Sequence, residues 1–456
     1  MKGFEGELMR RSPLAACVLE LSAHVLDEAT LDPIYDQNRG RCYEDKLTFN
    51  DFLTLTRDAL IHHGGSAHRL FLDLEKTGSH PVDESNYYRK LSNMPEEVSQ
   101  ALLREGTAKL SELMPGPAVA LARCFDGFEV IVGDGKKMKN AAKRLKLTRG
   151  YSGKLLGGKA LVALNVRSGM AIAMSDSLDG QTNDVPLVPA LMEQLQGMMR
   201  KPILSIWDRQ FDDVKTLKKL SSRQGDAFLV RMKQNYTFIP ESSRETVDAG
   251  GRPVLDEIGV MGKGKKSLRV RRITLLRQDD EDDVVLLTNL MDRTLFAACD
   301  LLELYRKRWG IEQVFQQVTE TFSLSHLIGS SPKATLLQFS YCLLLYNMTQ
   351  VIKAYIAEDG KVLASTVSTF YVFNDVRREL LAWAYHTDGS WPHTRRDAEA
   401  MRDRLRELLR GKWNPITYKK AADKKPRGKP KPKQRLHGGH TSVQRILDGR
   451  VKVLAS

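Results

Sequence analysis

The sequence predicts a mixed α/β fold in which a sheet-containing core is flanked by helical regions. The first indication is a set of apolar segments that have the length of strands and are rich in β-branched residues. The second is that amphipathic segments separate the later members of this set. The strand candidates are residues 128–133, 159–166, 170–174, 203–207 and 227–231.

The N-terminal quarter of the chain is predicted to be helical. Helical periodicity runs over 14–26, 85–91 and 95–113. A further helix begins at Thr48, which can cap it because Asp51 follows three residues later. The charged residues of this region are either nucleic-acid contacts or the surface of a small helical bundle, and both interpretations stay open.

The turns and helices between the strand candidates indicate how the strands are connected. Residues 167–169 have the chemistry of a hairpin turn, and helices are expected over 186–199 and 211–223. A three-strand meander followed by alternating helices and strands is the order of an RNase H-like sheet. Residues 233–284 exceed what that sheet needs. Their short strand-like pieces, such as 267–274, predict an inserted β-subdomain.

The composition favours a polyanionic partner. The 456 residues include 70 Lys and Arg against 56 Asp and Glu, which gives a formal net charge of +14 at pH 7. Cations that neutralise phosphates release counterions, and this release supplies affinity for nucleic acid. Net charge alone also fits ribosomal, RNA-binding and membrane-surface proteins, so it does not select among them.

Cysteine use and hydropathy indicate a cytoplasmic protein. The five cysteines are scattered and lack CxxC spacing, so neither a zinc site nor a disulfide framework is expected. The first residues contain no apolar signal segment. The most apolar helix candidate, 336–352, contains Gln338 and Asn347, so a buried core helix is expected and not a membrane span.

Two aspartates follow strand candidates directly. Asp134 comes after 128–133 and is expected in a glycine-flanked turn, and Asp208 comes after 203–207. Either residue alone has an ordinary interpretation as a turn residue or a helix cap. Two neighbouring buried strands would, however, bring both carboxylates to one position of the sheet.

A third carboxylate belongs to a helical stripe. Tyr305, Arg308 and Glu312 are spaced by three and four residues, which puts their side chains on one face of a helix. Apolar residues at helical spacing, among them Ile311 and Phe315, would bury the opposite face. Taken alone, the stripe fits a solvated charged face equally well.

Together the three carboxylates predict a metal site. Asp134, Asp208 and Glu312 would repel one another at one point unless cations were present. Oxygen ligands in that number suit Mg²⁺, with Mn²⁺ as a substitute. Two ions per active site can activate a water or a 3′-hydroxyl and stabilise the leaving oxygen in phosphodiester chemistry.

This arrangement resembles the cut-and-paste DDE transposases of bacterial insertion sequences, specifically the insertion-sequence-four family. The C-terminal signature of that family is Tyr, two residues, Arg, three residues, Glu, six residues and Lys. Tyr305, Arg308 and Glu312 match it, whereas Thr319 stands at the lysine position.

Three further segments share the resemblance, which covers roughly residues 40–355. Residues 132–135 and 208–211 resemble the first and second motifs of the family, and 286–290 resembles the strand before the last helix. The family implies an RNase H-like core, a homodimer on DNA, and Mg²⁺-dependent cutting and joining of double-stranded DNA. The DNA partners are the terminal inverted repeats of the transposon and the target.

The resemblance also implies roles for individual residues. Arg308 would clamp a phosphate through its fork, and Tyr305 would position the DNA backbone near the cut. Threonine at 319 supplies no charge, so a basic residue from elsewhere, such as one of the basic cluster that begins at Lys136, could substitute. The further DNA or phosphate contacts expected are Lys136, Lys137, Lys139, Arg209 and Thr319.

The region inserted before the last helix has basic and aromatic residues of its own. Arg269, Arg271 and Arg272 form a basic cluster with nearby lysines. In the family this insertion contacts DNA near the cut and helps to trap a flipped base. Aromatic rings in strands more often belong to the core. The rings available for stacking are Tyr236, Phe238 and Phe296.

The combined prediction divides the chain into four parts. Residues 1–115 form a helical region that binds transposon ends. Residues 118–355 form the RNase H-like catalytic core, with the β-rich insertion at about 233–284. Residues 356–415 form a helical region that serves in dimerisation, and 416–456 form a basic, disordered tail. Alternatively, the basic segment is a solubilising linker to a last short helix or strand piece over 441–454.

Three functions fit this sequence. The first is an active transposase that cuts and joins DNA at the nucleoid, and the second is an RNase H-like DNA nuclease without strand transfer. The third is a catalytically silent DNA-binding relic. The helical N-terminal region and the large insertion favour the first over the second. Retention of all three carboxylates disfavours the third.

Overall fold

The structure, a computed structural model, describes most of the chain. Parts of the basic tail and of the expected insertion, including the acidic run 279–282, lie outside the described residues. The described residues are 2–42, 46–61, 63, 65–78, 82–139, 141–233, 236–264, 267–276, 283–321, 328, 330–386, 396–420 and 439–451.

The described residues before 113 form helices joined by short turns. Thr48 caps one of them as predicted, because its hydroxyl accepts the Asp51 N–H at 3.0 Å. Asp27 and Ser66 cap two others in the same way. The helices are α1 (Lys2–Arg11), α2 (Pro13–Val25), α3 (Glu28–Asn38), α4 (Phe49–Ile61), α5 (Ala67–Thr77), α6 (Glu84–Asn93) and α7 (Glu96–Glu112).

In the described part of the chain ten strands form one mixed sheet, so the α/β class is confirmed. The strands are β1 (Glu129–Lys139), β2 (Lys154–Asn165), β3 (Ala171–Ser177), β4 (Ile203–Trp207), β5 (Ala227–Arg231), β6 (Phe238–Val247), β7 (Pro253–Met261), β8 (Leu268–Leu275), β9 (Val284–Thr288) and β10 (His440–Ser442). Their order is β10-β2-β1-β4-β5-β9-β8-β7-β6, and β3 also pairs with β2.

The first five strands lie where the apolar segments predicted them. β1 to β3 form an antiparallel meander, and β1, β4 and β5 are parallel neighbours. The helices α8 (Val188–Met198) and α9 (Val214–Leu220) separate β3, β4 and β5 along the chain. Strand β4 is buried along its whole length and lies between β1 and β5.

Strands β6 to β8 continue the same sheet, because β9 pairs with both β5 and β8. Arg271 of β8 is fully buried. Its guanidinium pairs with Asp256 at 2.7 Å and donates to the Phe296 carbonyl at 2.7 Å. Arg271 therefore does not belong to an exposed basic cluster, contrary to the prediction, because its charge is neutralised inside the protein.

Three helices follow β9: α10 (Ala298–Arg306), α11 (Trp309–Thr321) and α12 (Pro332–Asp359). Helix α12 is buried over nearly all of its length, as predicted. Its Asn347 accepts the Ala171 N–H of β3 at 2.9 Å and donates to Thr107 of α7 at 2.8 Å. The polar residues of α12 thus connect layers of the core. No helix among the described residues is long and apolar enough to span a membrane.

The C-terminal part contains α13 (Thr369–His386), α14 (Ala398–Leu409) and α15 (Val443–Leu447). Strand β10 lies parallel to the start of β2, and Val443 and Ile446 pack on Leu155 in a small separate core. Arg445 pairs with Asp179 at 2.8 Å. Residues 439–451 are therefore folded, because they bury apolar side chains against β2.

Replacing Arg271 with leucine should lower the free energy of unfolding by about 3–5 kcal/mol, because the buried Asp256 loses its closest charge partner. Urea unfolding followed by circular dichroism measures this change. Arg269→Leu on the same strand is the matched control. Its side chain is 61% exposed and pairs with Glu241, so the expected loss is about 1 kcal/mol or less. Equal losses in the two variants would contradict the interpretation.

Candidate active site

Asp134 lies in β1, and Asp208 directly follows the neighbouring parallel strand β4. Val132 of β1 pairs with Ile206 of β4, and each aspartate comes two residues later. Side chains alternate across a strand, so both carboxylates lie on one side of the sheet, here called the front face. Asp134 is inside β1, opposite Val162 of β2, and not in the turn that the sequence predicted.

The glycines beside Asp134 are required by packing on the opposite side of the sheet, here called the back face. A Cβ atom on Gly133 would lie 2.1 Å from the Trp207 ring, and one on Gly135 would lie 2.0 Å from the Asp184 carboxylate. Neither distance is physically tolerable. The prediction read these glycines as turn residues, but they let large groups approach the strand closely.

The predicted stripe of Tyr305, Arg308 and Glu312 spans two helices. Helix α10 ends at Arg306, and α11 begins at Trp309. The turn between them keeps i→i−3 hydrogen bonds, such as that from the Arg308 N–H to the Tyr305 carbonyl at 3.0 Å. This tighter turn keeps the three side chains on one side, as the spacing indicated.

Arg308 contacts two of the three carboxylates. Its Nη2 lies 2.8 Å from Glu312 Oε1, and its Nη1 lies 3.9 Å from Asp134 Oδ2. The Arg308 side chain is only 13% exposed, so these ion pairs are poorly screened. The guanidinium therefore links α11 to β1 and offsets the repulsion between Asp134 and Glu312.

The carboxylates Asp134, Asp208 and Glu312 have the donor chemistry of a site for a hard divalent cation. Among the described residues, however, no three His, Cys, Asp or Glu side chains converge closely enough to form a finished metal site. In this structure the Arg308 guanidinium contacts both Asp134 and Glu312.

Burial sets the protonation of two groups at the site. It raises the pKa of Asp134 to about 6, although the Gly135 N–H and Arg308 act in the opposite direction. Burial also raises the pKa of Tyr305 to about 12. The Tyr305 hydroxyl is therefore neutral at pH 7, and Arg308 lies 5.9 Å from the centre of its ring.

Lys136 lies close to the position where Thr319 replaces the lysine of the resembled signature. The Thr319 hydroxyl donates to the Phe315 carbonyl at 2.6 Å, so it is bound to its own helix. Lys136 is two residues after Asp134 on the same face of β1. Its Nζ lies 3.5 Å from the same carbonyl oxygen and 5.5 Å from the centre of the Phe315 ring.

The other predicted phosphate contacts are spread around the site. Arg209 is exposed next to Asp208, whose carboxylate accepts the Arg209 N–H at 2.7 Å. Lys137 and Lys139 are exposed. Lys137 alternates to the back face, so it is not beside the front-face carboxylates.

A cavity of about 330 Å³ beside the site contains residues that the sequence reasoning missed. Trp309 is 58% exposed at this cavity. Its position directly after Arg308 in the sequence could have indicated that it lies near the site. Phe296, one of the expected stacking rings, is instead buried against Phe125. The cavity is lined by Arg231, Arg252, Leu275, Val284, Leu302, Tyr305, Arg306, Arg308 and Trp309.

The chain also matches a known protein family. The family described as "Transposase DDE domain" matches residues 120–348, half of the chain. The chain belongs to the DDE transposase domain family. The matched DDE domain includes Asp134, Asp208 and Glu312.

Two individual proteins match with low sequence identity. "Putative transposase y4zB" of Sinorhizobium fredii is 26% identical over 130 residues. These are 27% of this chain and 35% of that relative, so the chain spans about a third of the relative's length. The cryo-EM structure of a piggyBac transposase synaptic complex with hairpin DNA is 13% identical, with a TM-score of 0.34. This match covers 87% of this chain and 75% of that one.

Asp134→Asn should stabilise the DDE domain above about pH 6 when divalent cations are removed. Folding raises the pKa of Asp134, so its ionisation opposes folding. This cost is absent below the unfolded pKa near 4 and complete above about 6. The advantage of the variant should grow from near zero at pH 4 to at most about 3 kcal/mol at pH 7.

Urea unfolding in EDTA between pH 4 and pH 8 measures this difference for Asp134→Asn and the unmodified chain. Asp126→Asn is the matched control, since Asp126 is 64% exposed and pairs with Arg167 at the surface. A stability difference for Asp134→Asn that stays constant over this pH range would contradict the burial argument.

Proposed function

We propose that this protein is a cut-and-paste transposase that binds transposon ends and catalyses metal-dependent DNA cleavage and strand transfer. One observation carries the proposal. Within a transposase DDE domain, Asp134 of β1 and Asp208, directly after β4, each come two residues beyond the paired residues Val132 and Ile206, and Arg308 pairs with both Glu312 and Asp134.

The strand arrangement supports an RNase H-like core over residues 118–355. The order β3-β2-β1-β4-β5, with antiparallel β1 to β3 and parallel β1, β4 and β5, is the arrangement expected from the predicted meander. In this proposal β6 to β8, within 233–284, are the insertion, which lengthens the sheet at its β9 edge.

In this proposal Asp134, Asp208 and Glu312 hold two Mg²⁺ ions. When bound, such ions activate a water or a 3′-hydroxyl and stabilise the leaving oxygen. Arg308 exchanges its carboxylate partners for a phosphate, which its fork can bind bidentately. Tyr305 keeps its proton and donates a hydrogen bond to the DNA backbone.

The basic residues support double-stranded DNA as the partner. A cleft of about 780 Å³ between the N-terminal helices and the start of α12 supports a DNA-binding role for residues 1–115. The cations among the described residues that line the cleft are Arg39, Arg41, Lys46, Arg89, Lys90 and Lys333.

We further propose that two copies act together on DNA through residues 356–415.

Glu312→Gln should abolish excision, with a loss of more than about 100-fold, since even partners of metal ligands contribute about 10–100-fold. The substrate is a plasmid that carries the gene for this chain with several hundred base pairs of its native flanks. Excised and nicked products are measured with Mg²⁺ and with Mn²⁺. Glu303→Gln on the neighbouring helix is the matched control, because its side chain is 65% exposed.

Joining of the excised 3′ ends to a second plasmid separates a transposase from a nuclease. Cleavage without joining would mean that the protein is a DNA nuclease and not a transposase. Binding without cleavage by the unmodified chain, with either metal ion, would contradict a catalytic role altogether.

Lys136→Ala should lower the cleavage rate about 10–100-fold, because a charge-assisted hydrogen bond to phosphate contributes about 1.5–3 kcal/mol. Lys137→Ala, one residue away on the back face, should change it little. Adding Thr319→Lys to Lys136→Ala should restore part of the rate, since it puts an ammonium near the same carbonyl of Phe315. Equal effects of the two alanine variants would contradict the role of Lys136.

A further inference from the structure

A buried polar cluster lies behind the proposed catalytic aspartates, on the back face of the sheet. It consists of Asp184, Lys159 and Gln210 and is here called the Asp184 cluster. The carboxylate of Asp184 pairs with Lys159 Nζ at 2.5 Å and accepts the Gln210 amide at 2.7 Å. The side chains of Asp184 and Lys159 are 9% and 4% exposed.

Each member of the Asp184 cluster has a fixed place relative to the site. Lys159 belongs to β2, directly opposite Lys137 of β1, and its Nζ also donates to the Thr182 carbonyl at 2.8 Å. Gln210 lies in the turn that begins with Asp208. The cluster therefore joins the loop before α8, the strand next to β1 and the turn after β4.

The Asp184 carboxylate also contacts β1 itself. It lies so close to the Cα atom of Gly135 that a Cβ there would be 2.0 Å from its Oδ1. Asp134 precedes this glycine, and Asp208 lies two residues before Gln210. The Asp184 carboxylate thus contacts the backbone next to Asp134 and binds the side chain of Gln210, two residues after Asp208.

The charges of the Asp184 cluster suit a supporting role better than metal binding. Lys159 neutralises Asp184, and a buried pair of this kind is stable only if its remaining hydrogen bonds are made. Those bonds come from Gln210 and Thr182. The Asp184 carboxylate is therefore already bound by Lys159 and Gln210, on the back face of β1 and away from Glu312.

We propose that Asp184 is a positioning residue that fixes the spacing between Asp134 and Asp208 through its contacts with Gly135 and Gln210. This inference rests on the proposed function, because the spacing matters only if the two aspartates share metal ions. Groups that orient ligands without touching the metal contribute about 10–100-fold to metal affinity or activity.

Asp184→Asn alone leaves Lys159 buried without its partner and can impair folding, so Asp184→Asn with Lys159→Gln is the variant to compare. This pair removes both charges and keeps similar volumes. We expect the single-turnover cleavage rate to fall about 10–100-fold. Mn²⁺ affinity, measured by calorimetry without DNA, should fall as well, while DNA binding in EDTA and the melting temperature stay close to those of the unmodified chain.

Gln210→Ala tests the Asp184 cluster through its half-buried member. It should lower the rate and the Mn²⁺ affinity. Its effect should largely disappear when Asp184→Asn and Lys159→Gln are already present, because coupled residues are not additive. Asp179→Asn is the matched control, since Asp179 lies in the same loop but pairs with Arg445 at 2.8 Å. It should leave the rate and the Mn²⁺ affinity unchanged.

The outcomes separate this inference from the proposed function. If the unmodified chain cleaves DNA but the Asp184 and Gln210 variants keep its rate and its Mn²⁺ affinity, the inference is wrong and the proposed function stands. Independent, additive effects of the two changes would also overturn it. If the unmodified chain neither cleaves DNA nor binds Mn²⁺, the proposed function fails first.

Discussion

The parallel pairing of β1 with β4 is the constraint on which the rest of the site depends. Backbone hydrogen bonds set the register, and the register puts Asp134 and Asp208 side by side on the front face. Gly133 leaves room for the buried Trp207 ring of β4, which lies against its Cα atom on the back face. An ordinary side chain at this position would have to displace that ring.

The second constraint is electrostatic. Burial disfavours the ionised form of Asp134, and the same burial makes a nearby cation more effective. Arg308 supplies that cation, with its planar group between β1 and α11. The chain therefore folds with its carboxylates compensated, and a substrate phosphate or metal ions would have to replace these contacts. Preorganised charge of this kind is a common basis of catalysis.

The sequence was sufficient for features that depend on local pattern. Apolar runs predicted β4 and β5, and helical spacing predicted the buried residues Ile311 and Phe315. It was insufficient where the deciding partner is distant in the chain. The burial of Arg271 depends on Asp256, and the folding of β10 depends on β2. Periodicity reports which face a residue occupies and not which group lies opposite.

Lys136 and Thr319 illustrate this limit at the proposed active site. A signature fixes a residue type at a sequence position, whereas a phosphate responds to charge at a point in space. Thr319 lies one turn beyond Phe315 on α11, and Lys136 reaches the same turn from β1. In the proposed function, Lys136 of β1 therefore supplies the charge that Thr319 of α11 lacks. A departure from a motif becomes interpretable only when the elements packed against it are known.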